Sequence, residues 1–133
     1  MIRLEIRTRQ RAEFLDITSR VQEAVHAAGI TQGLATVFVP HTTAGITINE
    51  NADPDVVADI LDTLERLAPR RGDYRHTEGN ADSHVKASLM GSSVQVLIEN
   101  GRLALGTWQG IYFCEFDGPR KREVWVEVVR RQS

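Results

Sequence analysis

The sequence predicts an α+β domain with a mostly antiparallel, β-sandwich-like core and about three helices packed on it. Three observations support this fold class. Short segments of alternating apolar and polar residues recur along the chain, helical patterns start at recognisable capping positions, and strands and helices do not alternate regularly. A chain of 133 residues can bury its own core, so we predict one domain over 1–133.

The N-terminal segment predicts a hairpin followed by a helix. Apolar residues alternate with charged ones over 2–7, and the pattern returns more briefly over 14–18, as in half-buried strands. Ser19 precedes Gln22 by three residues, which is the spacing of a capping box. The helix then continues until a glycine can end it, and His26 falls on its polar face, where we expect an exposed side chain.

The middle of the chain predicts two strands and then a helix. Residues 34–40 are rich in apolar and β-branched types, and the pattern resumes over 45–48. The residues that follow are small, polar or acidic, which is unusual for a strand. Asp53 followed by Pro54 is a strong helix start, and Pro69 ends the helical pattern.

The second half of the chain predicts a loop, a short helix and several strands. Residues 70–80 are polar and contain two glycines, whereas 83–90 can form a helix. We expect the last two strands to pair through the turn between them. The predicted strands are 94–98, 103–105, 111–116 and 124–128, with turns at 100–101 and 117–119.

Charge and composition exclude several classes of protein. Sixteen basic and eighteen acidic residues give a net charge of -2, so we predict no nucleic-acid partner, and we interpret the basic run 120–122 as a solvated edge. No apolar run approaches the ~18 residues of a membrane span, and the N-terminus lacks a signal-peptide pattern, so we predict a cytoplasmic protein without a membrane partner. The single cysteine, Cys114, cannot form an internal disulfide and is predicted to be a small buried hydrophobe.

Three of the four histidines lie in polar stretches at the ends of predicted elements. His41 follows the strand pattern over 34–40, and His76 and His84 flank the segment HTEGNADSH. Binding residues concentrate at such positions on a rigid scaffold. If the fold brings the two stretches together, one pocket holds three imidazoles. The neighbouring polar side chains would be Asn49, Glu50, Glu78 and Asn80.

These residue types allow three interpretations. Imidazole with carboxylate is the ligand set of zinc and other divalent metals, and three histidines would leave a fourth position open. Histidines, asparagine amides and a helix N-terminus can instead hold a phosphate. A hydrogen-bonded structural loop is the third possibility. The HxxxxxxxH spacing is not a metal fingerprint, so these residues alone do not decide among the three.

The segment GTWQGIYF, residues 106–113, places two glycines around Trp108 and Gln109. Glycine within a strand indicates a bulge or a close backbone approach. One interpretation makes Trp108 a core residue at a corner of the sandwich. In the other, Gln109 and a neighbouring backbone amide line the polar pocket.

Three motifs in order, PHTTAGITINENADPDV, HTEGNADSHVKASLMG and LGTWQGIYFCEFDGPR, resemble the signature segments of the YjbQ-like family, UPF0047. The resemblance covers essentially the whole chain. It implies an α+β, sandwich-like fold, a homotrimer and a weak thiamine-phosphate synthase activity. That reaction joins an aminopyrimidine pyrophosphate to a thiazole phosphate and releases pyrophosphate. The partner it implies is a small phosphorylated metabolite.

The resemblance also implies which residues form the polar pocket. In the enzyme hypothesis, His41, His76 and His84 surround a phosphate or a divalent metal, zinc or magnesium, and Glu50 or Glu78 acts as orienting group or base. The alternatives are a non-catalytic trimer that binds a metabolite or metal, and polar loops that only close the trimer. The other carried-over positions are Thr42, Thr43, Asn49, Asn80, Trp108 and Gln109.

A dedicated diphosphate enzyme needs cationic side chains near the leaving group. The motifs hold no such clamp, and Arg75 and Lys86 are the nearest candidates. We therefore expect any thiamine-related activity to be secondary.

Overall fold

A computed structural model describes residues 1–132 and shows eight strands and three helices in that range. Their order is β1 (Ile2–Arg7), β2 (Glu13–Asp16), α1 (Thr18–Ala28), β3 (Gln32–Phe38), β4 (Ala44–Glu50), α2 (Pro54–Leu67), α3 (Ala81–Met90), β5 (Ser93–Glu99), β6 (Arg102–Leu103), β7 (Gln109–Glu115) and β8 (Lys121–Arg130). No helix among these residues has the length and apolar character needed to cross a bilayer.

The strands form two antiparallel sheets. Sheet A has the order β1-β8-β3-β5-β6, and sheet B has the order β2-β7-β4. The main core lies between them, because alternate residues of each strand face the other sheet. Val37 and Val126 contribute from sheet A, Phe113 and Ile46 from sheet B, and Val21 from α1. The predicted α+β class with a sandwich-like core is confirmed.

The two sheets differ in what covers their outer faces. A second apolar cluster joins the outer face of sheet B to α2 and α3, with Tyr112 and Cys114 packed near Leu64 and Ala87. Cys114 is buried, as predicted, and burial raises the pKa of its thiol far above the ordinary value. The outer face of sheet A carries exposed apolar side chains instead, of which Leu97 is 67% exposed.

Two predicted hairpins are wrong. The first two strands do not pair with each other, because β1 pairs with β8 in sheet A and β2 pairs with β7 in sheet B. The turn at 117–119 likewise carries the chain from sheet B to sheet A, so β7 and β8 are not partners. The sequence patterns identified the strands, but alternation does not specify which strand lies beside which. The hairpin at Asn100 and Gly101 is confirmed, with φ values of 52° and 77°.

The helix starts were predicted with mixed success. Asp53 caps α2 as predicted, because its side chain accepts a hydrogen bond from the Asp55 backbone N–H. The capping box at Ser19 is wrong, since α1 begins at Thr18. Gln22 instead holds the β5–β6 hairpin, donating to the Gly101 carbonyl and accepting from a backbone N–H of β6.

Candidate functional site

A buried ion-pair network fixes α3, the helix that carries His84. Asp82 is fully buried and accepts two hydrogen bonds from Arg11, at 3.1 and 3.2 Å. Lys86 donates to Asp82 at 2.8 Å and to Glu65 at 2.7 Å. Burial opposes ionisation of Asp82, but the bonds from Arg11 and Lys86 outweigh burial and hold the pKa of Asp82 below its ordinary value. Lys86 is therefore occupied by two carboxylates.

The C-terminal end of α3 lies against the edge of β4. The Ile46 backbone N–H donates to the Gly91 carbonyl, with an N–O distance of 3.1 Å. Gly45 makes this approach possible, because a Cβ at this position would lie 2.8 Å from the Gly91 carbonyl oxygen. The contact brings α3 beside the loop that contains His41.

His41 lies where β3 leaves sheet A. The β3–β8 pairing ends at Phe38 and Trp125, and two residues further the register places Pro40 opposite Glu123. There the Glu123 backbone N–H donates to Nε2 of His41, with an N–N distance of 2.9 Å. The imidazole thus satisfies a strand amide that the departing chain leaves behind.

A buried ion pair holds the loop next to His41. Arg122 donates to the buried carboxylate of Glu115 and, at 2.8 Å, to the Thr43 hydroxyl. Thr8 also donates to Glu115. Burial raises the pKa of Glu115, but hydrogen bonds from Arg122, the Asp117 backbone and Thr8 outweigh that effect, so the pKa lies below the ordinary value. The same network therefore anchors Thr43 and stabilises the place where the chain passes from sheet B to sheet A.

The structure brings the three motif histidines to one region. His76 and His84 meet edge to face, with ring centroids 5.2 Å apart and an interplanar angle of 70°. His41 and His84 line one hollow of about 490 Å³. Small and hydroxyl-bearing residues complete its lining: Thr42, Ala44, Ala87, Ser88, Gly91 and Ser92. We call this region the histidine groove.

Two further polar residues of the second motif, Glu78 and Asn80, have defined contacts. Glu78 is exposed, and its carboxylate lies 3.9 Å from Nε2 of His76. Asn80 precedes α3 and donates from its amide nitrogen to Asp117 at 2.8 Å. Its amide oxygen is buried and has no hydrogen-bond partner among residues 1–132. Burial keeps this acceptor from solvent, so its missing hydrogen bond is a local cost to stability.

The remaining predicted site residues lie at the other end of sheet B. Glu50 pairs with Gln109, whereas Ala44, near the histidine groove, pairs with Glu115. Six residue steps along β4 separate these pairs by ~20 Å. Asn49 and Trp108 lie at the Glu50 end, together with Gln109, whose side chain accepts a bond from the Gly106 N–H at 2.8 Å. Within one chain they do not line the histidine groove.

Trp108 does not belong to the core. Its side chain is 63% exposed, so the interpretation as a core residue is wrong. The close backbone approach predicted for this segment does occur at Gly110, where a Cβ would lie 2.5 Å from the Asn51 amide nitrogen. Asn51 in turn donates to Asp16 at 3.0 Å.

The three histidines do not fit a metal centre within one chain. No group of three or more His, Cys, Asp or Glu side chains among residues 1–132 is placed to hold a metal ion. The Nε2 lone pair of His41 already accepts the Glu123 N–H, and only His76 and His84 have rings in contact. Metal coordination therefore stays a prediction.

Comparison with known proteins identifies the family. A family model described as "UPF0047 protein YjbQ-like" matches residues 2–131. This chain belongs to the YjbQ-like family. UPF0047 protein YugU of Bacillus subtilis is 53% identical over 127 residues, 95% of this chain and 96% of YugU. UPF0047 protein MJ1081 of Methanocaldococcus jannaschii is 48% identical over 97% of this chain and 94% of its own length.

A solved structure of a YjbQ/UPF0047 protein from Clostridium acetobutylicum has the same fold. It superposes with a TM-score of 0.95 at 59% identity, covering 97% of this chain and 100% of that one. The family resemblance and the fold class predicted from the sequence are both confirmed.

The ion pairs that support this YjbQ-like site were missed in the sequence. Arg122 was interpreted as part of a solvated edge, which is wrong, because it is 5% exposed. A signal was present: in KREVWV, Arg122 shares the alternation of Val124 and Val126, which face the core. A charged residue at a strand position whose neighbours in the alternation face the core indicates a buried partner of opposite charge, here Glu115.

Proposed function

We propose that the histidine groove binds a small phosphorylated metabolite. The observation that carries this proposal is that His41 and His84 line one hollow while His76 packs on His84. Ring N–H groups and the exposed Thr42 hydroxyl offer hydrogen-bond donors, which phosphate oxygens require. Small residues such as Ala87 and Gly91 leave the space for the ligand.

We further propose that any chemistry at the groove is a weak thiamine-phosphate synthase-like transfer. Pyrophosphate departure requires stabilisation of the charge that develops on it. Lys86 does not supply this, because it is 3% exposed and binds Asp82 and Glu65. Arg75, exposed directly before the second motif, is the other candidate cation. The shortage of cations favours slow turnover, and it equally favours the second candidate function, a trimer that binds the metabolite without converting it.

A homotrimer is part of the proposal, and the outer face of sheet A supports it. Leu34 pairs directly with Leu97 on one side and with Val129 on the other, so three apolar side chains form a row. Leu97 and Val129 are 67% and 56% exposed. Two rows further on the same face, beyond Thr36, the tilted rings of Phe38 and Trp125 pack with centroids 5.8 Å apart. We call this surface the apolar sheet face.

The occupant that fits the apolar sheet face is a second copy of this chain. Around the apolar rows the same face carries acidic and basic residues together, including Glu123, Glu127, Arg3 and Lys121. A face that carries both signs can meet a different patch of a neighbouring copy through opposite charges, as the head-to-tail interfaces of a closed trimer require, whereas it offers no single-sign field for a polyanion. Exposed apolar patches of this kind mark protein interfaces.

A trimer would also explain why some residues implied by the resemblance lie far from the histidine groove. Asn49, Glu50, Trp108 and Gln109 lie ~20 Å along β4 from the histidine groove. For these residues to serve the same site, they must come from a neighbouring copy. We propose that they do so in the trimer, with Glu50 facing the groove of the next subunit.

Calorimetry with inorganic phosphate and pyrophosphate tests binding, and formation of thiamine phosphate tests turnover. Both are measured on the wild-type protein and on His84→Ala, with and without added magnesium or zinc. We expect phosphate binding that His84→Ala weakens about tenfold, the value of one charge-assisted hydrogen bond. Binding without product formation would favour the non-catalytic trimer. Absence of phosphate binding to the wild type would refute the proposed function.

A further inference from the structure

The protonation of His41 follows from its contact with β8. The Glu123 backbone N–H is always a donor, and it points at Nε2 of His41 across 2.9 Å. Nε2 must therefore carry its lone pair and no proton. In a neutral imidazole one nitrogen carries the proton, so Nδ1 of His41 is the N–H nitrogen.

We infer that His41 acts as a neutral hydrogen-bond donor through Nδ1–H, aimed at an oxygen of the ligand, and that it is not a metal ligand. The ligand part of this inference rests on the proposed function. Both nitrogens are accounted for: Nε2 accepts from the backbone, and Nδ1 has a proton in place of the lone pair that a metal requires. The ligand class that fits is an oxygen acceptor such as a phosphate.

The surroundings of His41 keep this arrangement in place. Glu123 lies in β8 and is paired with Glu5 of β1, so its N–H cannot turn away without breaking sheet A. Burial and the nearby Arg122 guanidinium both disfavour a second proton and hold the pKa of His41 below its ordinary value. His41 lines two hollows, one beside Glu123 and one that contains His84. Since Nε2 faces the Glu123 N–H, the inference assigns Nδ1–H to the hollow of the histidine groove.

The inference separates the roles of the three histidines. Of the three motif histidines, His76 and His84 remain as imidazole ligands for zinc, and their ring centroids lie 5.2 Å apart. His41 contributes to anion binding alone. Removing His41 should therefore change phosphate affinity and leave zinc affinity as it is.

Nitrogen NMR of the ¹⁵N-histidine-labelled full chain tests the protonation directly. The His41 signals are assigned by their loss in His41→Asn. At neutral pH we expect Nδ1 to be protonated and Nε2 to be unprotonated. Added zinc should shift or broaden His76 and His84 signals and leave those of His41 in place. A protonated Nε2 at His41, or a zinc-induced shift of either His41 nitrogen, would overturn the inference.

A pair of conservative variants tests the donor role. In His41→Gln the side-chain carbonyl can reach the position of Nε2 and accept the Glu123 N–H, but nothing occupies the position of Nδ1. In His41→Asn an amide N–H can occupy the Nδ1 position while the Glu123 N–H loses its partner. We expect inorganic phosphate to bind about tenfold more weakly to the Gln variant and within about threefold of wild type to the Asn variant.

The outcomes distinguish this inference from the proposed function. Equal phosphate affinity of wild type and His41→Gln, with binding intact, would overturn the donor role alone. If the wild type binds no phosphate, the proposed function and the ligand part of the inference both fail. The nitrogen spectra and the zinc titration would then still decide whether His41 is a neutral, metal-free imidazole.

Discussion

The imidazole rings of His76 and His84 meet edge to face with their centroids 5.2 Å apart. His84 also lines the hollow of the histidine groove, whereas His76 supports the ring of His84 from the loop before α3. We therefore expect His84→Ala to weaken phosphate binding about tenfold and His76→Ala to weaken it about threefold. Calorimetry checks both values. His26→Ala, on the exposed face of α1, is the matched control, and an equal loss in that variant would contradict the site.

Gly45 allows α3 to pack closely against β4, which positions His84 in the histidine groove. An added Cβ would meet the Gly91 carbonyl oxygen at 2.8 Å and the Met90 Cβ at 3.0 Å, so α3 must move away from β4. Gly45→Ala should therefore lower the free energy of unfolding by about 1–3 kcal/mol, as overpacking does. Because α3 carries His84, phosphate affinity should fall as well. Urea unfolding and calorimetry test this, and Gly106→Ala serves as the control because its added Cβ would contact only the flexible Gln109 side chain.

Glu115 predicts a pH dependence of stability. Its folded pKa is depressed, mainly because the hydrogen bonds from Arg122 outweigh burial, so its contribution is present above the unfolded value and is lost as pH falls through the folded pKa. Wild-type stability should decline as pH drops below about 4.3. Glu115→Gln leaves Arg122 buried without its partner and should cost about 3–5 kcal/mol at pH 7.

Urea unfolding of both proteins between pH 7 and pH 3 measures this difference. The gap between wild type and Glu115→Gln should be widest near pH 7 and should narrow toward pH 3, because the carboxylate of the unfolded chain gains its proton before that of the folded protein. Glu99→Gln, an exposed carboxylate on β5, is the control and should leave the pH profile as in the wild type. A gap that stays constant over this range would show that the ionised form of Glu115 is not what stabilises the fold.

The sequence predicted the positions of strands and helices better than it predicted which of them lie side by side. Alternation located β1 and β8, and the Asp53–Pro54 pair located the start of α2, because both signals are local. Strand pairing is not local, so the chain crossing from sheet B to sheet A at 117–119 was mistaken for a hairpin. The same limit applies to the site: proximity of His41 and His84 depends on the contact between α3 and the edge of β4, which no pattern encodes.

The separation of Glu50 from the histidine groove leads to a complementation test. If Glu50 of one subunit serves the groove of the next, neither Glu50→Gln nor His84→Ala alone should form thiamine phosphate. Co-refolding the two variants in equal amounts should restore about a quarter of wild-type activity. One in four interfaces then joins a subunit with an intact His84 to a subunit with an intact Glu50. Mixing the folded variants without refolding is the control. No recovery in the refolded mixture would place Glu50 outside the shared site.

The apolar sheet face offers the sharpest test of assembly, because the chain provides a matched pair of exposed leucines. Leu97 lies on sheet A and is 67% exposed, while Leu67 lies at the end of α2 and is 69% exposed. Leu97→Asp places a charge in the row with Leu34 and Val129, where burial against a second copy would cost several kcal/mol. Light scattering after size exclusion should show a trimer for wild type and Leu67→Asp, and a monomer for Leu97→Asp.

The two leucine variants also distinguish an error about the interface from an error about the trimer. A wild-type monomer would refute the trimer itself. A trimer in both variants would keep the assembly and reject the apolar sheet face as its interface. Circular dichroism melts of Leu97→Asp establish that the dissociated chain is folded, which we expect because Leu97 points away from the core between the sheets. If Glu50 serves the groove of a second copy, dissociation by Leu97→Asp should abolish thiamine phosphate formation while phosphate binding to the single chain persists.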